Sequence, residues 1–124
     1  MAKHDKLRFV TILIVEDDPD VLTLTERLLV ARGHTVLSAG DPHQASFVLA
    51  EHRASPDVLL TDLILAGQSG LDYAKSLKAT YPALRVVFMT GWVHRAPAAQ
   101  RSGLGRVIHK PFTAEELYQA IDRA

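Results

Sequence analysis

The sequence contains no cysteine, and its 14 basic and 14 acidic residues give a formal net charge of zero. Without cysteine, neither a disulfide framework nor a thiolate metal site can form. The balanced charge argues against a nucleic-acid groove, which needs a clustered excess of basic residues. No apolar run approaches the length of a membrane span, and residues 1–6 are too short and polar for a signal peptide. We therefore expect a cytoplasmic protein with no membrane insertion and no direct contact with nucleic acid.

Internal repeats, low-complexity tracts and linkers are also missing from the sequence. The 124 residues are 48% hydrophobic and 23% charged, which is typical of a globular chain and not of a disordered one. A chain of this length can bury a sizeable core. We therefore expect one domain over residues 1–124.

Strand and helix patterns alternate five times along the chain. Runs of apolar and β-branched residues predict five strands: Phe9–Val15, Thr35–Ala39, Val58–Thr61 with Asp62 directly after it, Arg85–Thr90 and Arg106–His109. Helical spacing predicts helices over Pro19–Ala31, after Asp41-Pro42, from Leu71 to near Tyr81, within Trp92–Gly105 as a short piece, and after Thr113. Strict alternation with short loops predicts an α/β fold, with a parallel sheet between two layers of helices and right-handed crossovers.

Local signals mark several helix starts. Asp18-Pro19 and Asp41-Pro42 both fit an N-cap followed by proline at the first helical position. Thr113 and Glu116 have the spacing of a capping box. In the first helix, five apolar residues predict a stripe that faces the core: Val21, Leu22, Leu24, Leu28 and Leu29.

Polar residues stand at the carboxyl ends of four predicted strands: Glu16 and Asp17, Asp62, Thr90, and Lys110. Because the carboxyl ends of parallel strands share one edge of the sheet, these side chains can converge. Carboxylate oxygens without histidine or thiolate favour Mg²⁺ over zinc. A divalent ion beside a hydroxyl and an ammonium group can hold a phosphoryl group. The sequence has no glycine-rich nucleotide loop, so the phosphoryl donor is expected to be a small molecule or a protein.

Structural roles remain open for these acids when each is taken alone. Asp62 could cap a helix or stabilise a turn. Glu16 and Asp17 could form a solvated acidic turn, although mutual repulsion raises the cost of ionising neighbouring acids unless a cation compensates.

Four motifs in this order closely resemble the receiver domain of bacterial two-component response regulators: Ile14-Val15-Glu16-Asp17-Asp18, Leu60-Thr61-Asp62 with Gly67 and Gly70, Met89-Thr90-Gly91, and Lys110-Pro111-Phe112. The resemblance covers nearly the whole chain, from Thr11 to Ile121. It implies a flavodoxin-like, doubly wound (βα)5 fold with a five-stranded parallel sheet in the order 2-1-3-4-5. It also implies a phosphoacceptor that serves signalling, with self-catalysed phosphotransfer and slow autodephosphorylation.

The resemblance assigns each site residue a role. Asp62 looks like the nucleophile that takes a phosphoryl group from a phosphohistidine. Asp17 resembles a direct Mg²⁺ ligand, Glu16 an acid that holds the ion through water, and the carbonyl oxygen of Ile64 a further ligand. Two more residues contact the phosphoryl oxygens in this family, here Thr90 and Lys110.

The chain departs from the family pattern at several positions. Ala66 replaces the usual proline, so we expect a less rigid loop. Val107 replaces the usual aromatic residue, so activation should not depend on an aromatic rotamer change. Pro97 makes the fourth helix irregular. Ile64 and Trp92 are large and apolar where the attacking water would pass, so an aspartyl phosphate should persist.

The resemblance implies a sensor histidine kinase or a histidine phosphotransfer protein as donor and an unknown protein as downstream partner. Because the chain ends just after the fifth predicted helix, we expect no output domain. A single-domain regulator and the receiver of a hybrid histidine kinase both fit. A receiver-like binding module that works without phosphorylation is an alternative. A Mg²⁺-dependent phosphatase is a third, but it would need an acid at the position of Ile64.

Overall fold

The computed structural model describes residues 9–91 and 96–124. Seven strands lie in these ranges: β1 Thr11–Val15, β2 Thr35–Ala39, β3 Val58–Asp62, β4 Ile64–Leu65, β5 Gln68–Ser69, β6 Arg85–Thr90 and β7 Gly105–His109. Five helices accompany them: α1 Pro19–Ala31, α2 Pro42–His52, α3 Gly70–Thr80, α4 Ala96–Ser102 and α5 Ala114–Asp122. The predicted α/β alternation is confirmed, and α4 is the short helix expected there.

Five of the strands form one parallel sheet in the order β2-β1-β3-β6-β7. Counting only these main strands along the chain, this is the expected order 2-1-3-4-5. The central strand β3 is buried along its whole length, which explains its continuous apolar sequence. The strand order reverses between β1 and β3, and α/β sheets bind ligands at such a point.

Helices cover both faces of the sheet, as a doubly wound fold requires. One apolar core joins the sheet to α2, α3 and α4, and a second joins it to α1 and α5. The predicted caps are confirmed, because Asp18, Asp41 and Thr113 each accept a hydrogen bond from a backbone N–H in the first turn. None of the helices in the described ranges has the length and apolar character that a bilayer span requires.

Three details differ from the sequence prediction. The first ladder begins at Thr11, and Phe9 is 67% exposed before it. Leu24 does not face the core, since it is 57% exposed while Thr25 and Leu29 are buried. Thr25 can be buried because its hydroxyl donates to the carbonyl of Val21 at 2.6 Å. The loop after Asp62 contains the small β4–β5 hairpin, which the sequence prediction did not include.

Candidate functional site

The polar residues at the strand ends meet at the carboxyl edge of the sheet. Glu16 follows β1, and its N–H donates to the carbonyl of Ala39 at 3.0 Å, so β2 fixes its backbone. Asp62 ends β3, beside Met89 in the β3–β6 ladder. Thr90 ends β6, and its carbonyl accepts the N–H of Lys110 at 2.8 Å. Sheet pairing thus brings together residues that are far apart in the sequence.

Three carboxylates form the centre of this edge. One oxygen from each of Glu16, Asp17 and Asp62 lies within 4.8 Å of the others. Glu16 is only 1% exposed and Asp62 7%, while Asp17 faces solvent. Three carboxylate oxygens this close to one another can converge on one small hard cation, and their all-oxygen chemistry suits Mg²⁺.

The ammonium group of Lys110 lies between two of these acids. It donates hydrogen bonds to Glu16 Oε1 and, at 2.5 Å, to Asp62 Oδ2. Burial by itself would lower the pKa of Lys110, but the hydrogen bonds to Asp62 and Glu16 outweigh burial and raise it. Lys110 therefore stays protonated and supplies one fixed positive charge to the site.

Burial lowers the pKa of an ammonium group such as that of Lys110, but it acts in the opposite direction on the carboxyl group of Glu16. It raises the pKa of this carboxyl from 4.5 to about 7, and the hydrogen bond from Lys110 lowers it only in part. The negative charge of Asp62 also contributes to this rise. Even with Lys110 beside it, this buried acid would ionise more readily if further positive charge were close, and a bound cation would supply that charge.

The chain turns sharply after Asp62. The N–H of Ile64 donates to Asp62 Oδ1 at 2.9 Å, and the N–H of Gly70 donates to the carbonyl of Leu63 at 2.9 Å. A Cβ atom on Gly70 would lie 1.8 Å from the carbonyl oxygen of Asp62. A glycine at this position therefore allows α3 to begin directly against the end of β3.

The neighbouring acids Asp17 and Asp18 have different contacts. Asp18 Oδ1 accepts the N–H groups of Asp20 at 2.9 Å and Val21 at 3.4 Å, so its side chain caps α1. Asp17 Oδ2 accepts the N–H of Ala66 at 3.1 Å. Sequence analysis separated these two roles but missed Ala66, because no short-range pattern links it to Asp17.

Thr90 is fully buried at the end of β6, where sequence analysis expects it. Val107 is half-buried and packs against the core shared with α2, α3 and α4. Trp92 lies outside the described residues, so the expectation that it shields the site stays a prediction. The use of the Ile64 carbonyl as a metal ligand also stays a prediction.

The sequence of this chain matches a known domain family. The sequence model of the response regulator receiver domain matches residues 12–122. The probable transcriptional regulatory protein TcrX of Mycobacterium tuberculosis is 33% identical over 87% of this chain and 46% of its own length. The DNA-binding transcriptional regulator NtrC of Salmonella typhimurium is 31% identical over 90% of this chain and 24% of its own length. The chain thus spans less than half the length of these curated relatives.

Solved structures agree with the sequence match. A response regulator receiver domain protein from Clostridium thermocellum has a TM-score of 0.81 and 29% identity, covering 93% of each chain. NtrX from Brucella abortus has a TM-score of 0.84 and 30% identity, covering 94% of this chain and 27% of the other. The family match covers most of the chain, and the fold and the acidic edge agree with it. The chain belongs to the family of response regulator receiver domains.

Proposed function

We propose that Asp62 is the phosphoacceptor of this receiver domain in two-component signalling. The observation that supports this most is the setting of its carboxylate, nearly buried at the end of the central strand with Lys110 on one oxygen and the Ile64 N–H on the other. Fixed donors of this kind stabilise charge without reorganising during a reaction. The alternative function, a binding module that works without phosphorylation, is not favoured, because such a module would not need a carboxylate held between two fixed donors.

The transfer would exchange one bond to phosphorus for another. A carboxylate oxygen of Asp62 forms a bond to phosphorus while the bond to the histidine nitrogen breaks, and that nitrogen keeps the electron pair and takes up a proton. Lys110 then pairs with phosphoryl oxygens, and the Thr90 hydroxyl donates a hydrogen bond to one of them. The domain's own residues would thereby supply the catalysis of the transfer.

We further propose that Glu16, Asp17 and Asp62, with the carbonyl oxygen of Ile64, hold Mg²⁺. When bound, the ion supplies positive charge that offsets the carboxylates and the incoming phosphoryl group. The donor would be a sensor histidine kinase or a histidine phosphotransfer protein. The acyl phosphate on Asp62 would carry about two negative charges where the carboxylate carried one, and would then change the contacts of Thr90 and the binding of a downstream protein.

The test is intact-mass spectrometry after incubation with a small acyl phosphate donor and Mg²⁺. We expect one phosphoryl adduct on the parent and none on Asp62→Asn. The matched control is Asp57→Asn, at the other end of the same strand, where the carboxylate accepts the N–H of Thr11 at 2.8 Å. Asparagine keeps that acceptor, so the control should still gain the adduct. An adduct of equal size on Asp62→Asn would disprove the assignment.

A second prediction separates the two adjacent acids. Asp17→Asn should weaken Mg²⁺ binding by roughly an order of magnitude, because it removes one charge from the ion's ligands. Asp18→Asn should leave binding within about twofold, because asparagine is an equally good N-cap. Mg²⁺ titration by calorimetry measures both. Equal losses in the two variants would mean that the metal contact is assigned to the wrong acid.

A further inference from the structure

The loop after the phosphoacceptor strand is a hairpin with a two-residue turn. Its strands β4 and β5 pair antiparallel, Ile64 with Ser69 and Leu65 with Gln68. Ala66 and Gly67, between them, have φ values of 48° and 86°. Positive φ at both central residues is the pattern of a type I′ turn. Gly67 adopts it without strain, whereas alanine rarely does.

Ala66, the residue with the unusual backbone conformation, contacts Asp17 of the acidic cluster. The Ala66 N–H donates to Asp17 Oδ2 at 3.1 Å, across a sequence separation of 49 residues. The residue with the unusual left-handed conformation is therefore the residue whose N–H bonds the carboxylate of Asp17. Unusual backbone conformations persist where the surrounding structure holds them, often at functional sites.

We propose that Ala66 is a positioning residue, whose backbone N–H holds the carboxylate of Asp17 in the orientation that binds the metal ion. Asp17 is exposed, and an exposed carboxylate otherwise moves among several rotamers. The hydrogen bond to Oδ2 restricts rotation of the carboxylate and so fixes the direction of both of its oxygens. Groups that orient a metal ligand in this way raise metal affinity because the ligand is already in place.

The contact between Ala66 and Asp17 also explains why proline would not suit position 66 in this chain. Proline has no N–H to donate, and its ring holds φ near −65°. It could therefore neither adopt the conformation of Ala66 nor make the bond to Asp17. The inference rests on the proposed Mg²⁺ site for its consequence, but the hydrogen bond itself can be tested without the ion.

The first experiment compares Mg²⁺ affinity in three substitutions of one residue. Ala66→Pro should weaken binding roughly 10-fold, the lower end of the effect of losing an orienting partner. Ala66→Gly and Ala66→Asn keep the N–H and favour the type I′ turn, so they should bind within about twofold of the parent. Parent-like affinity in a folded Ala66→Pro, judged by circular dichroism, would overturn the proposal.

The second experiment measures hydrogen exchange at the Ala66 amide in metal-free protein. The amide should exchange several-fold faster in Asp17→Ala than in the parent, while Asp18→Ala should leave it unchanged. This outcome supports the hydrogen bond even if Ala66→Pro fails to fold. Equal exchange in the parent and Asp17→Ala would overturn it. If no variant binds Mg²⁺ but the exchange result holds, the proposed metal site fails and the contact survives.

Discussion

Gly70→Ala is expected to destabilise the domain by about 3 kcal/mol or more, in the upper range for overpacking. The new Cβ would lie 1.8 Å from the carbonyl oxygen of Asp62, 2.9 Å from its carbonyl carbon and 3.1 Å from Leu63 Cα. All three are backbone atoms, so no side chain can rotate away to make room. Either α3 or the end of β3 must move, and β3 is held in the middle of the sheet. Thermal unfolding should show a fall in Tm of roughly 10 °C.

Two other glycines provide controls for this prediction. Gly91 also lies at the carboxyl edge, but no described atom is within 4 Å of its Cβ position, so Gly91→Ala should change stability by less than about 0.5 kcal/mol. Gly105→Ala should be as damaging as Gly70→Ala, because its Cβ would lie 1.7 Å from the carbonyl oxygen of Val86. An unchanged Tm for Gly70→Ala would show that α3 begins farther from β3 than the structure places it.

Local signals in the sequence predicted the elements of this fold well. The caps at Asp18, Asp41 and Thr113 depend on bonds to the next two or three residues, which a short sequence window contains. The buried strand at Val58–Asp62 was predictable because both of its faces are covered and every residue is buried. Strand ends also predicted which polar residues converge, since parallel strands end at one edge.

Features set by neighbouring elements could not be predicted in the same way. Apolar spacing could not show that α1 turns Thr25 inward and Leu24 outward, because the buried threonine satisfies its hydroxyl within the helix. The start of β1 also depends on another element, since its ladder begins where β2 supplies the partner Thr35. Hydropathy describes one segment and carries no information about the surface on which it packs.

Within the site, the positions of the polar residues could be predicted from the sequence, but their contacts with one another could not. The position of Lys110 at a strand end was predictable, but its bonds to Glu16 and Asp62 span 94 and 48 residues. The bond from Ala66 to Asp17 spans 49 residues and depends on a turn whose second residue alone is a glycine. Such contacts follow from the assembled sheet and from backbone conformation, which short sequence patterns do not determine.

Lys110→Met is expected to change metal binding and phosphotransfer in opposite directions. The ammonium group bonds Glu16 and Asp62, two of the proposed Mg²⁺ ligands, so it competes with the ion for their oxygens and repels it. Removing one positive charge at this distance should strengthen Mg²⁺ binding roughly tenfold, which corresponds to about 1.4 kcal/mol. Phosphorylation of Asp62 should nevertheless slow by roughly 10²–10³-fold, because a fixed donor to the phosphoryl oxygens is lost.

Metal-free Lys110→Met should also be less stable than the parent, because Glu16 and Asp62 are left without their cation. Saturating Mg²⁺ should restore part of that stability, so the rise in Tm on adding the ion should be larger in the variant. Both proteins should be titrated at one pH well above 7, because burial raises the pKa of Glu16 to about 7 in the parent and loss of the hydrogen bond from Lys110 raises this pKa further in the variant. Calorimetry and thermal unfolding measure the two effects.

Lys75→Met is the matched control, since Lys75 is an exposed lysine on α3 and the substitution changes net charge by the same amount. It should leave Mg²⁺ affinity, phosphorylation rate and Tm near the parent values, because exposed charges at a distance are screened by salt. If Lys110→Met instead binds Mg²⁺ more weakly than the parent, the lysine supports the metal site and does not compete with it. If phosphorylation keeps the parent rate, another group must neutralise the phosphoryl oxygens, and the role proposed for Lys110 is wrong.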